Sequence, residues 1–123
     1  HCLRDLTRGG LATCLVELAE ASGLTLEIDE GRVPVCDAVR GACEMLGLDP
    51  AYVANEGRCL VIVPEAFEER VLAVMKRCPV SSGALRIGRV DKSEGRALAL
   101  ATAGFGTRRV LTRLSGEQLP RIC

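Results

Sequence analysis

The run Cys59-Leu60-Val61-Ile62-Val63 is continuously apolar and lies between a turn-like Asn55-Glu56-Gly57 and the helix-breaking Pro64. Such a run reads as a central strand, buried on both faces, and every neighbouring element must be arranged around it. Ahead of it, Leu11, Leu15, Leu18 and Ala19 recur at helical spacing. They predict an amphipathic helix over roughly residues 9 to 22, capped by Asp5 or Thr7 and ended by Gly23. Leu24 to Ile28 alternates as a half-buried strand. A second helix carries Val39, Ala42, Cys43 and Leu46 and closes at Gly47. Pro64 opens a third, with Phe67, Val71, Val74, Met75 and Cys78 on one face, stopped by Pro79.

Beyond Pro79 the pattern changes. Leu85 to Val90 and Arg96 to Ala101 read as strands joined by a turn over Asp91 to Gly95, and Thr107 to Leu111 as a third. Helices and strands first alternate and then strands cluster, which predicts an α+β fold with a mixed or antiparallel sheet packed with helices. Residues 1–114 should form the domain. Residues 115–123 show neither period and read as a flexible tail that spans roughly 27 Å when extended.

At 123 residues, 48% hydrophobic and 26% charged, the chain has the size and composition of one soluble domain. Its 16 basic and 16 acidic residues cancel, and Tyr52, Phe67 and Phe105 are its aromatic residues. Base stacking and phosphate tracking therefore have little to work with, so nucleic acid is not an expected partner. No apolar stretch is long enough for a membrane span. The 7 cysteines include no C-x-x-C pair and His1 is the only histidine, so no metal site is expected. Cys14, Cys43, Cys59 and Cys78 sit within apolar patterns and read as buried free thiols in a reducing cytoplasm. The chain opens at His1 without an initiator Met and is expected to be a fragment of a longer protein.

Chemistry can reside in three segments. Arg4-Asp5-Leu6-Thr7-Arg8-Gly9-Gly10 leads into the first helix, where glycines and the helix dipole favour an anion and the arginines suit phosphate. It is not a Walker A sequence, and capping by Asp5 and Thr7 would explain it as well. Asn55-Glu56-Gly57 puts a carboxylate at the mouth of the apolar strand, placed for acid–base work but equally a solvated turn. The tail ends Leu119-Pro120-Arg121-Ile122-Cys123. The α-carboxylate about 5 Å from that thiol opposes the thiolate by about 0.8 kcal/mol in water, so Cys123 suits a carrier better than a self-activated nucleophile.

These segments, with Val39-Arg40-Gly41-Ala42-Cys43-Glu44-Met45-Leu46-Gly47-Leu48-Asp49, closely resemble the C-terminal domain of the HypE family. These are hydrogenase maturation proteins, carbamoyl dehydratases of the aminoimidazole-ribonucleotide-synthetase-like superfamily. The resemblance runs nearly end to end, the P-R-I-C ending is its most discriminating part, and Leu6 departs from the usual Pro or Ala. It implies that HypF carbamoylates Cys123, that ATP activates the amide oxygen, and that dehydration leaves a thiocyanate. The cyano group would then pass to iron held by HypC and HypD, toward a [NiFe]-hydrogenase. On this sequence the resemblance makes Cys123 and Glu56 catalytic. It assigns Arg4, Asp5, Thr7, Arg8, Gly9, Gly10 and Asn55 to the ATP site, with His1 nearby. ATP and Mg would be held mainly by an absent N-terminal domain, which would also supply the homodimer contacts, so the fragment alone should be inactive. The alternatives are another ATP-dependent superfamily member, of the selenophosphate- or aminoimidazole-ribonucleotide-synthetase type, and a non-catalytic carrier or docking module.

Overall fold

The helix predicted near the start is the centre of the molecule. The computed structural model describes residues 1–113, and in it α1 (Gly10–Ser22) buries Leu11, Ala12, Cys14, Leu15, Val16 and Ala19. This is the face that the 3.6-residue period assigns to a core. It packs on β2 (Leu24–Asp29), β5 (Ala99–Thr102) and β6 (Arg108–Leu111), meeting Leu26, Ile28, Ala99, Ala101 and Leu111. The small side chains of Ala99 and Ala101 let helix and sheet approach closely. Leu15 is 2% exposed, and its burial contributes about 2 kcal/mol. Gly23 ends the helix in a left-handed conformation, its N–H donating to the Ala19 carbonyl at 2.9 Å. The start differs from expectation. Neither Asp5 nor Thr7 caps the helix; Gly9 occupies the cap position and no side chain bonds there.

The remaining elements are β1 (Cys2–Leu6), α2 (Asp37–Leu46), β3 (Asn55–Ile62), α3 (Glu68–Arg77) and β4 (Gly88–Lys92). The architecture is α+β, as predicted, with a 4-stranded mixed sheet in the order β4-β2-β5-β6. Only β2 and β5 run parallel within it. β4 and β5 do not pair as the intervening turn suggested, because β2 lies between them. One carboxylate spans this whole sheet. Glu27 on β2 accepts from Arg89 of β4 at 2.9 Å, from the Thr102 hydroxyl of β5 at 2.8 Å, and pairs with Arg108 of β6 at 3.0 Å. Its side chain is only 14% exposed, whereas both arginines are more than half exposed, which weakens each pair by solvent screening.

The apolar run occupies a different place from the one expected. β3 pairs antiparallel with β1 in a separate 2-stranded sheet, so among the described residues it is not a central strand. A strand reads as a continuous apolar run whenever both faces need cover, and that pattern does not say that the cover is other strands. Here Leu60 and Ile62 rest on the core beneath α1, and an open groove floored by Leu11, Leu15, Leu26 and Ile28 separates β3 from β4. α3 covers only part of its predicted face: Val71 and Met75 are half-buried, whereas Phe67 is 50% and Val74 61% exposed. The thiols follow the same division. Cys14 and Cys43 are buried as predicted, but Cys59 and Cys78 are exposed, and every described cysteine is free.

Two expectations concern stability. Glu27→Gln removes the charge that links the strands of the mixed sheet and should cost about 1–2 kcal/mol, read as a lower urea midpoint. Burial pushes the Cys14 thiol up from 9.0 to about 11. A raised pKa stabilises the fold fully below the unfolded value, and the contribution is lost as pH rises toward the folded one. Urea midpoints should therefore fall between pH 9 and 11, and Cys14→Ala should flatten that part of the profile.

Candidate functional site

The loop from Arg4 to Gly10 is shaped from both ends. Leu6 is buried in the core and anchors it, while Asp5 and Arg8 stay exposed. The Thr7 hydroxyl donates to the Asp5 carboxylate, and this bond, ahead of lesser contributions, holds the carboxyl below its ordinary range. Gly9 and Gly10 both adopt a φ of +63°, which L side chains rarely take. A Cβ on Gly10 would lie 2.6 Å from the carbonyl oxygens of both Ala51 and Val53. The start of α1 is thus pressed against the Pro50–Tyr52 turn, and only glycine fits. That turn is set by Pro50 in its first position and by Asp49, whose carboxylate accepts from the Ala51 N–H at 2.9 Å.

The turn leads directly into β3, where the ladder is irregular. Asp5 faces Cys59 and Leu6 faces Asn55, so the register shifts across Glu56, Gly57 and Arg58, which form a bulge. Gly57 takes a φ of +74°, and Arg58 donates to the Pro34 carbonyl at 3.1 Å, tying the bulge to the body. Bulges commonly re-aim side chains at functional sites. This one sets Asn55 opposite Leu6 and the bulge next to Asp5, at the start of the loop that leads to Gly9 and Gly10. Two segments read separately in the sequence are one surface. The first N–H groups of α1 have no carbonyl one turn earlier, and the helix dipole adds positive potential there. Backbone suited to an anion thus lies on the segment that pairs with the strand carrying Glu56.

The other predicted residues are placed differently. Arg4 donates to Glu17 of α1 at 2.6 Å, so its charge is engaged, whereas Arg8 makes no ion pair among the described residues. β1 carries His1 to its opposite end from Gly9 and Gly10, against Val63, Pro64 and Phe67. Cys123 and the rest of the tail lie outside the described residues. Among the described residues no group of three His, Cys, Asp or Glu side chains is placed to hold a metal ion, and no helix is long and apolar enough to cross a membrane. Sequence reasoning passed over Tyr52, whose hydroxyl joins this turn to Thr112. Its being the one tyrosine, inside the segment between two motifs, was the available signal.

Comparison with known proteins places the chain in a family. Residues 1–100 match the family model described as AIR synthase related protein, C-terminal domain. Carbamoyl dehydratase HypE of Azotobacter vinelandii is 50% identical over 123 residues, covering 100% of this chain and 36% of its own length. A crystal structure of hydrogenase maturation protein HypE in complex with ATP superposes with a TM-score of 0.91 at 45% identity, over 100% of this chain and 38% of that one. A structure of a HypE–HypF complex gives 0.83 at 38% identity, over 91% of this chain and 36% of the other. The chain thus spans about a third of the length of these relatives.

Thr7→Val should raise the Asp5 titration midpoint toward the ordinary carboxylate range, measured by NMR on the side-chain carboxyl. An unmoved midpoint would remove the Thr7 hydroxyl as the cause.

Proposed function

Because this chain belongs to the AIR synthase related C-terminal domain family and, within it, to the HypE carbamoyl dehydratases, we propose that it supplies the carrier thiol and part of the phosphate site of such an enzyme. The whole activity belongs to the longer protein. HypF places a carbamoyl group on the Cys123 sulfur. The amide oxygen then attacks the γ-phosphorus of ATP, and ADP departs. Glu56 removes a proton from the amide nitrogen, the carbon–oxygen bond breaks with phosphate as the leaving group, and loss of the second nitrogen proton leaves S–C≡N. In sum, thiocarbamate and ATP give thiocyanate, ADP, phosphate and a proton. The cyano group passes to iron held by HypC and HypD.

The observation that carries this reading is the register shift opposite Asp5 and Leu6, which lays Asn55 and the bulge that begins at Glu56 against the Arg4–Gly10 loop. A base for the amide and donors for the phosphate are then within one surface. Gly9, Gly10 and the α1 backbone would face phosphate oxygens, with Arg8 as the available guanidinium and Arg4 reaching them only by leaving Glu17. Asp5, Thr7 and Asn55 hold the loop and the bulge mouth. Magnesium would be held mainly by ligands elsewhere in the longer protein, and no step is routed through it. The relatives solved with ATP and with HypF support the nucleotide and the partner. The same longer protein would work as a homodimer in the cytoplasm.

The test is intact-mass analysis of the full-length protein, carbamoylated with HypF, freed of nucleotide and then given ATP. The adduct should lose water only after ATP is added, and Cys123→Ala should abolish the adduct itself. Glu56→Gln should leave carbamoylation intact and slow dehydration by about 100-fold or more. The 123-residue chain alone should carry out no dehydration. An adduct on another residue, or water loss without ATP, rejects the assignment.

A further inference from the structure

The close approach at Gly10 limits how near α1 and the Pro50–Tyr52 turn can come, but a steric limit does not pull them together. The pull has to come from ties made by the turn itself. Asp49, which opens the turn, uses its carboxylate in two directions. One oxygen accepts from the Ala51 N–H at 2.9 Å, and the other pairs with the Arg109 guanidinium of β6 at 2.7 Å. Ala51 is also one of the two residues whose carbonyls meet Gly10.

Arg109 is fixed in its turn. It faces Ala101 in the β5–β6 ladder and donates to Glu30 at 2.5 Å. It stands two positions before the buried Leu111, so its side chain leaves the sheet on the face that α1 covers. Tyr52 adds a tie at the far end of the turn, but to Thr112, past the last ladder pair at Leu111. Arg109 is therefore the anchor that lies within regular strand. Backbone bonds from the Tyr52 and Val53 N–H groups already close the turn, so the carboxylate decides where the closed turn sits. That placement has a consequence. Val53, whose carbonyl also meets Gly10, is two residues ahead of Asn55, which faces Leu6, and the bulge begins at Glu56. A shift of the turn displaces the Gly10 contact and the entry to β3 together.

We infer that Asp49, held by Arg109, is a positioning residue for the reaction: it seats the Pro50–Tyr52 turn between β6 and Gly10, and so aligns Glu56 with the Arg4–Gly10 loop. The inference rests on the function proposed above. It gives neither Asp49 nor Arg109 a contact with the reacting atoms. Misplacing a base slows chemistry steeply, whereas the affinity for ATP, supplied mainly by the rest of the longer protein, should hardly change.

Full-length protein and its variants are carbamoylated with HypF, checked for the adduct by intact mass and then given ATP. Both the rate constant and the final extent of water loss are read across ATP concentrations. At saturating ATP, Asp49→Ala should lower the rate constant about tenfold while the reaction still runs to completion. The half-saturating ATP concentration should change less than about twofold. Arg109→Gln should slow the reaction about threefold, because both partners of the pair are partly exposed and screened. Asp49→Asn keeps an oxygen for the Ala51 N–H and loses the charge, so it should match Arg109→Gln. Combining these two should be no slower than either alone, since both remove one interaction. An Asp49→Ala rate equal to the parent's overturns the inference. So does a reduced extent at an unchanged rate constant, because Asp49 would then only keep the protein folded. A loss confined to ATP affinity, or fully additive losses on combining Asp49→Asn with Arg109→Gln, overturns it as well. Failure of the functional reading looks different: the parent protein itself would lose no water after ATP is added.

Discussion

The contact between Gly10 and the carbonyls of Ala51 and Val53 is the constraint on which the candidate site depends. It joins the first turn of the most buried helix to the turn that feeds β3. With no Cβ in the way, α1 and the Pro50–Tyr52 turn meet backbone to backbone, and the relative placement of Arg4–Gly10 and Asn55–Glu56 follows. The left-handed conformation of Gly10 adds a second reason for glycine there. A side chain at this position would have to move backbone atoms, which a packed interior resists.

Around that contact, charge is used in two distinct ways. In the mixed sheet Glu27 is a shared acceptor, and its partners on β4, β5 and β6 make it a lock on strand order. On the outer face of α1, Glu17 and Glu20 engage Arg4 and Arg113, one from the Arg4–Gly10 loop and one from the chain after β6. The first set is half-buried and stabilises the sheet. The second is exposed and contributes little to stability. Tyr52 joins the two ends of this arrangement, since it belongs to the turn and bonds to Thr112.

Much of the fold could be read from periodicity. The α1 face, its end at Gly23, the end of α2 at Gly47 and the strand over Arg108–Leu111 all emerge as predicted. The errors have a common physical origin. Periodicity says which residues share a face and nothing about what covers it. Cys59 in β3 and Phe67 and Val74 at α3 have apolar neighbours in sequence, yet they lie exposed. The supposed β4–β5 hairpin failed for a related reason: a turn-like segment shows that the chain reverses, while a competing strand, β2, takes the position between.

By itself, the sequence displayed the residue types that the proposed chemistry requires: a glycine pair ahead of a helix, a carboxylate in a short turn, and the thiol of Cys123. Their motifs also carried the resemblance to a family. Only the tertiary structure decided that the first two form one surface, because that depends on a register shift between β1 and β3 and on a close backbone approach at Gly10. It also decided that Arg4 turns toward Glu17 and that Tyr52 holds Thr112. Pairings between residues far apart in the chain leave no local pattern, since neither partner's spacing depends on the other until the chain has folded.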